Sequence, residues 1–273
     1  MRVAVVGHTE WIEFGRVDRV PASGEIAHAS EPWQEAGGGG AVAAVQLSRL
    51  AGACDLFTAL GDDPAGTASR RRLSTLGAQV HAAPRRGVST RRAVTLVDRD
   101  GERTITTLGE RLDPRAAEPL PWDLLEETDA VYVTAGDVDA LRHARRARVM
   151  VVTLRALRRL AESGVDADCL VGSARDPRER WEVGALPVPP RLLVRTEGDE
   201  GGSFETARGQ RGRYAAEPPP GAVVDTYGAG DTFAAGLTFA LGTGMAVADA
   251  LAFAARCSAV CVSGRGPFGA RIA

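Results

Sequence analysis

An α/β fold with a mainly parallel central sheet is the architecture this sequence predicts. Three observations point to it. Short apolar runs recur along the chain, of the length of buried strands. Helical stretches separate several of them, the alternation expected of a doubly wound sheet. The 273 residues suffice for a large core, since about three quarters of the unfolded surface is buried near 300 residues. We expect a single domain over 1–273.

Val3 to Val6 reads as the first buried strand, ending at Gly7. Residues 8–36 are polar with scattered aromatics and a Pro-Ala-Ser-Gly turn at 21–24, a pattern of exposed strands and loops. Gly37 to Gly40 opens a helix whose apolar face carries Val42, Val45, Leu47 and Leu50, with Gly52 near its end. CDLFTALG (54–61) predicts a strand, and Pro64 to Leu76 a helix with proline near its start. Two β-branched runs in 91–108 are joined by Asp98-Arg-Asp-Gly101, a hairpin signal. AVYVTAG, RVMVVTL, DCLVGS and RLLVRTEG predict four further buried strands, with helices near 137–147, 155–163 and 176–181. The last third is apolar, but Gly242-Thr-Gly244 cuts it, and Asp249 and Arg256 follow. Two packed helices are expected there, because a membrane span needs about 20 uninterrupted apolar residues.

Composition narrows the chemistry. With 44% apolar and 25% charged residues and a net charge of −2, the chain is an ordinary globular protein. It has no electrostatic case for nucleic acid or an anionic membrane as partner. Lysine and asparagine are absent, so all 33 basic side chains are arginine. Schiff-base, Walker and protein-kinase lysine chemistries are thereby excluded, leaving backbone N–H groups, arginine or metal to handle phosphate. Cys54, Cys169, Cys257 and Cys261 form no C-x-x-C and no disulfide framework. Cys257 and Cys261 are expected to be buried thiols. Glu10 and Glu13 interrupt the N-terminal run too early for a signal peptide, so a cytoplasmic location is the expectation. The histidines at 8, 28, 81 and 143 have no zinc-ligand spacing.

The sharpest local feature is Asp225-Thr-Tyr-Gly-Ala-Gly-Asp231, ahead of an amphipathic run. Its small residues leave the N–H groups of Gly228, Ala229 and Gly230 bare at a helix N-terminus, where anions bind. Asp231 at that end is open to two readings. It could take a proton from a hydroxyl whose phosphoryl partner the N–H groups hold, or it could merely cap the helix.

This segment resembles the D-T-x-G-A-G-D signature of the ribokinase-like, PfkB carbohydrate kinase family. The similarity extends in the family's order through GGGGAVAAVQLSRLAG, LGDDPAG (60–66), DRDGERTITTLG (98–109) and VRTEGDEGG (194–202), covering nearly the whole chain. The resemblance implies a three-layer α/β/α sandwich with a small β lid, here from parts of 10–36 and 88–108. It also implies ATP-dependent phosphorylation of a sugar or sugar-like alcohol, with Mg²⁺ bridging the nucleotide phosphates. Lids of the family pair between subunits, which makes a homodimer through the lid an expectation.

By the same resemblance Asp231 corresponds to the catalytic base, and Gly228, Ala229 and Gly230 to the anion hole. Thr196, Gly198 and Gly201 fall in the nucleotide-site loop. Gly38, Gly39 and Gly40 correspond to the glycines that approach the sugar. Asp225, with carbonyls near 263–266, falls where many members hold a monovalent cation such as K⁺.

Three departures bear on substrate. The N-x-D that holds sugar hydroxyls in ribose-phosphorylating members reads Glu10-Trp11-Ile12, with Glu10, Glu13 or Asp18 as substitutes or as plain surface charge. The asparagine of the glycine-rich segment is Val42. The Mg²⁺-associated N-x-x-E appears as Ser173-Ala-Arg-Asp176. Arg85-Arg86 and Arg91-Arg92 suit solvated faces, the second pair also contact with an anionic substrate. Gly38-x-Gly40-x-x-Ala43 fits a dinucleotide fingerprint, but polar residues 31–36 precede it rather than a clear strand. A nucleoside or vitamin-type alcohol kinase of the superfamily, or a nucleotide-binding regulatory protein that has lost turnover, are the rival readings.

Overall fold

The computed structural model of the chain describes residues 1–272. Its strands are β1 (Val3–Val6), β2 (Glu10–Arg16), β3 (Glu31–Gly37), β4 (Cys54–Gly61), β5 (Ala78–Arg85), β6 (Arg92–Val97), β7 (Arg103–Leu108), β8 (Ala130–Val133), β9 (Val149–Thr153), β10 (Cys169–Ser173), β11 (Leu192–Thr196), β12 (Gly202–Thr206) and β13 (Arg211–Tyr214). The helices are α1 (Gly39–Ala51), α2 (Pro64–Thr75), α3 (Val138–Ala144), α4 (Leu157–Ser163), α5 (Ala229–Gly242) and α6 (Val247–Cys261).

Nine strands form the central sheet in the order β13-β12-β11-β10-β9-β8-β1-β4-β5. All its pairings from β5 to β11 are parallel, and β12 and β13 close one edge antiparallel. Both faces of the parallel part are covered, which explains why its strands are continuous apolar runs. Within each strand, alternate residues serve opposite layers. Val3 and Val5 join the core with α1, α5 and α6, whereas Ala4 and Val6 join the core with α3 and α4. The same split separates Val151 from Met150 and Val152 in β9.

A second sheet of four strands, β3-β2-β6-β7, carries the two segments expected to form a lid. Its β6–β7 hairpin turns at Asp98–Gly101, where Gly101 N–H donates to the Asp98 carbonyl at 3.0 Å. β2 pairs with β6 in parallel and with β3 antiparallel.

Two expectations need correction. Residues 176–181 are turns rather than helix. Asp176 Oδ1 accepts the Arg178 N–H at 2.9 Å, and this local bond next to Pro177 competes with a helical path. The glycine run does follow a strand, β3, but that strand lies antiparallel to β2 in the small sheet. It therefore does not open a parallel βαβ unit of the kind that binds dinucleotides. No helix among the described residues is long and apolar enough to cross a membrane. The four cysteines are free and buried.

Candidate active site

The chain leaves β1 toward β4 and β5 on one side of the sheet, while β8 to β11 build the other. A switch point thus lies between β1 and β8, where ligands bind at the carboxyl ends of strands. His8 and Thr134 follow those two strands directly. Both line a cavity of about 450 Å³ that opens between the carboxyl ends of the central strands, the N-terminus of α5 and the second sheet.

α5 begins at Ala229 after Gly228, whose φ of 83° is the left-handed conformation that glycine supplies. Asp231 lies in the first turn of α5, past the N-cap position, which Gly228 fills without a side chain, so it is not the N-cap residue of this helix. Gly228, Gly230 and Asp231 all line the cavity, and a Cβ placed on Gly230 would meet open space. Ala229 stands behind them, its N–H reaching the Thr226 carbonyl at 3.4 Å and its own carbonyl accepting from Ser258 Oγ at 3.1 Å.

Burial pushes the Asp231 carboxyl up to about 6, opposed first by Arg155, with Glu179 and Glu10 adding to the rise and Arg103 countering it. The carboxyl therefore takes up its proton just below neutrality. His8 is pushed down to about 3 by burial and by Arg111, Arg91 and Arg155, so it is neutral. Its Nε2 accepts the Gly39 N–H at 3.3 Å, while Nδ1 lies 3.5 Å from Thr134 Oγ1.

The glycine run approaches this carboxylate closely. A Cβ on Gly39 would stand 2.8 Å from Asp231 Oδ1, and one on Gly40 would strike the Gly7 backbone at 2.7 Å. Gly38 and Gly39 line the cavity, whereas Gly40 seats α1 against the end of β1. Tyr227 ties the two motifs together, since its hydroxyl accepts the Gly38 N–H at 3.1 Å.

Asp225 lies beneath the turn with no exposed surface, accepting N–H bonds from Tyr227 (2.8 Å) and Gly266 (2.9 Å). Burial raises its pKa. No salt bridge to it is found among the described residues, and an uncompensated buried carboxylate is costly. Its oxygens and the neighbouring loop therefore suit a monovalent cation.

At the opposite end, Ser173 and Thr196 line the cavity at the ends of β10 and β11. Gly198 and Gly201 lie in the turn beyond, outside the lining, with positive φ of 69° and 80°. Asp176 also lies outside it, paired with Arg155 and Arg178. The carboxylate that reaches the cavity wall is Glu179, whose Oε2 accepts the Ser173 N–H at 2.6 Å and whose Oε1 holds Arg155 at 2.5 Å. Tight turns at 174–179 carry this longer side chain back to the place expected of Asp176.

Glu10 is buried in the lining, 3.2 Å from Arg91 Nη1 and 3.7 Å from His8 Nε2. Burial raises its pKa against the pull of Arg91 and Arg111. Glu13 instead accepts from Gln34 Nε2 across the β2–β3 ladder at 2.6 Å, and Asp18 is exposed. Neither reaches the cavity. Arg103, Arg111 and Arg155, which sequence reading missed, do reach it. Arg155 follows the carboxyl end of β9, a position that strand-end reasoning could have flagged. Arg103 opens the exposed strand β7 and Arg111 follows it, and neither carried such a signal.

The family model for pfkB family carbohydrate kinases matches residues 1–188 and 166–269 of the chain. An ATP-dependent ribose-1-phosphate kinase from Halopiger xanaduensis is 31% identical over 277 residues, 95% of this chain and 91% of that protein. A Dictyostelium discoideum ribokinase is 32% identical over 108 residues, 39% of this chain and 34% of its own length. Among solved structures, a microbiome-derived acarbose kinase superposes with a TM-score of 0.81 at 23% identity, over 99% of this chain and 95% of that one. The Arabidopsis thaliana ribokinase complexed with ribose and ATP gives 0.74 at 20% identity, over 97% and 93%.

Proposed function

The chain belongs to the pfkB family of carbohydrate kinases, and from that premise we propose that it transfers the γ-phosphoryl group of ATP to a hydroxyl of a sugar or sugar-like alcohol. The observation that carries this reading is Asp231, which lines the cavity in the first turn of α5 beside Gly230, where a Cβ would meet open space, with its carboxyl pushed up to about 6.

In this scheme Asp231 takes the proton of the attacking hydroxyl, which must come within about 3 Å of it. The N–H groups of Gly228 and Gly230 stand at the positive end of α5 and hold the phosphoryl oxygens through the transfer. Ser173 and Thr196 border the nucleotide phosphates, and Arg155 faces the charge that develops between the reacting groups. Gly39, lacking a side chain, lets the acceptor come up to Asp231.

The residues present fit a divalent cation. Glu179 is the carboxylate on the wall beside Ser173. Its oxygens hold the Ser173 N–H and Arg155, yet each keeps a lone pair that would serve Mg²⁺, which commonly takes one or two carboxylates together with substrate phosphates. When bound, Mg²⁺ neutralises charge on the β- and γ-phosphates. K⁺ would rest on Asp225 and the adjoining loop, compensating the buried carboxylate.

The test is ADP formation from MgATP with a panel of acceptors, the product identified by mass spectrometry. Ribose and ribose 1-phosphate, which appear in the relatives' names, come first. Phosphorylated product from at least one acceptor is expected; none from any, with the protein folded, overturns the kinase reading.

A further inference from the structure

The cavity carries more basic than acidic side chains on its lining although the chain has a net charge of −2. Its lining holds five arginines against Glu10, Glu179 and Asp231. Arg155 and Arg178 lie at the strand-edge end, near Ser173 and Thr196, where nucleotide phosphates belong. The other three belong to the opposite end. Arg91 immediately precedes β6, Arg103 opens β7, and Arg111 follows β7, so all three come from the second sheet and its margins.

None of the three is fully used by the protein itself. Arg91 keeps one bond to Glu10, but its Nε is buried without any partner among the described residues. A buried N–H left unsatisfied is costly, and an incoming acceptor atom would relieve that cost. Arg103 donates to Thr226 Oγ1 at 3.2 Å, and its nearest carboxylate, the exposed Glu102, stands 3.8 Å away. Arg111 forks onto Asp113 through Nε at 2.7 Å and Nη2 at 3.2 Å, which leaves Nη1 without a protein partner among the described residues, and it still lines the cavity and acts on both His8 and Glu10.

This end also lacks the usual means of gripping a neutral sugar. The position that would offer a carboxylate to two hydroxyls is Ile12, which is wholly buried in the core. Glu10, the carboxylate that remains, is flanked by Arg91 and Arg111.

Resting on the kinase reading, we propose that the acceptor is itself a phosphorylated sugar, its existing phosphate held by Arg91, Arg103 and Arg111 while a free hydroxyl faces Asp231. Three guanidinium groups brought in from separate segments suit the three oxygens of a phosphate monoester, and arginine forks bind such oxygens in pairs. A single carboxylate would leave one of the three unpartnered. The transfer balances simply. The acceptor hydroxyl oxygen bonds to the γ-phosphorus, the bond to the β-bridging oxygen of ATP breaks, and the hydroxyl proton passes to Asp231. The products are ADP and a sugar bisphosphate.

The test compares ribose, ribose 1-phosphate, ribose 5-phosphate and ribonate as acceptors, by kcat/KM and by calorimetry with a non-hydrolysable ATP analogue present. A phosphorylated sugar should lead ribose by about 100-fold or more, the worth of one or two charge-assisted contacts. Arg103→Gln and Arg111→Gln should each raise its KM by about 10–100-fold. KM for ATP and the melting temperature should stay near wild type, and Arg103→Lys should recover part of the loss. Arg92→Gln, exposed and outside the cavity, is the matched control. Ribose or ribonate used as well as either phosphate overturns the proposal while leaving the kinase intact. If no acceptor turns over, the kinase reading fails by itself. Calorimetry then decides the subsite, because phosphorylated sugars that bind no tighter than ribose overturn it.

Discussion

The end of the cavity that we assign to phosphoryl transfer and the end that we assign to the acceptor are built in opposite ways. The transfer end comes from one contiguous turn, Asp225–Asp231, whose chemistry lies in backbone N–H groups and one carboxylate at a helix start. The acceptor end comes from side chains scattered over Glu10, Arg91, Arg103 and Arg111, brought together by a separate four-stranded sheet. The first arrangement is common to any hydroxyl acceptor, because phosphoryl transfer always needs the same charges held. The second would decide which molecule presents the hydroxyl.

If that division is right, changes at the transfer end should strike kcat, and the largest effect belongs to Asp231→Asn. Loss of general-base assistance predicts a fall in kcat of about 10²–10⁴-fold. Nucleotide binding, measured by calorimetry, should be nearly unchanged. In the wild type, kcat/KM should decline below pH about 6 as the carboxyl takes up its proton. Retention of more than about a tenth of the rate by a folded variant would remove Asp231 from the role of base.

Glu179→Gln tests whether the transfer end extends to the wall beside Ser173. A loss of about 10–100-fold in kcat/KM for MgATP is expected, as for residues that orient a metal site. The acid limb of the pH profile should also move to lower pH, since Glu179 raises the Asp231 pKa. Asp176→Asn, outside the cavity, should have the weaker effect; the reverse order would return the role to Asp176.

A subtler effect is thermodynamic. An acid whose folded pKa lies above its ordinary 3.8 costs stability once ionised, and the cost grows from about pH 4 to about 6 and then stays constant. Asp231→Asn should therefore melt higher than the wild type at neutral pH, by at most about 3 kcal/mol of stability. The two should melt alike near pH 3. Equal melting at pH 7 and pH 3 would mean that the carboxyl is not held against its charge. The smallest effect expected is that of Glu13→Gln and Asp18→Asn, which should leave the acceptor KM unchanged in steady-state kinetics. A tenfold rise with either would extend the acceptor end beyond the cavity.

Much of this was legible in the chain before folding. Apolar runs such as VAVV and AVYV identified strands covered on both faces, because only the interior of a parallel sheet tolerates consecutive apolar residues. The Asp225–Asp231 turn was legible because its features are local: glycine conformation, a helix start and two carboxylates all fall within seven residues. Neither the strand β3 before the glycine run nor the turns at 176–181 could be read the same way. Pairing with β2 decided the first, and a local aspartate bond the second.

What the tertiary structure alone decided is how distant side chains share one space. Glu179 replaced Asp176 at the wall because the turns at 174–179 bend its longer chain back onto Ser173. Glu10 faces inward while Glu13 faces the β3 ladder, since they stand an odd number of residues apart on one strand and side chains alternate. Arg91, Arg103 and Arg111 converge only because β6 and β7 pair over the cavity. Sequence carries the chemistry that neighbours along the chain can perform. Convergence of charges from separate segments depends on strand register and loop path, which packing sets.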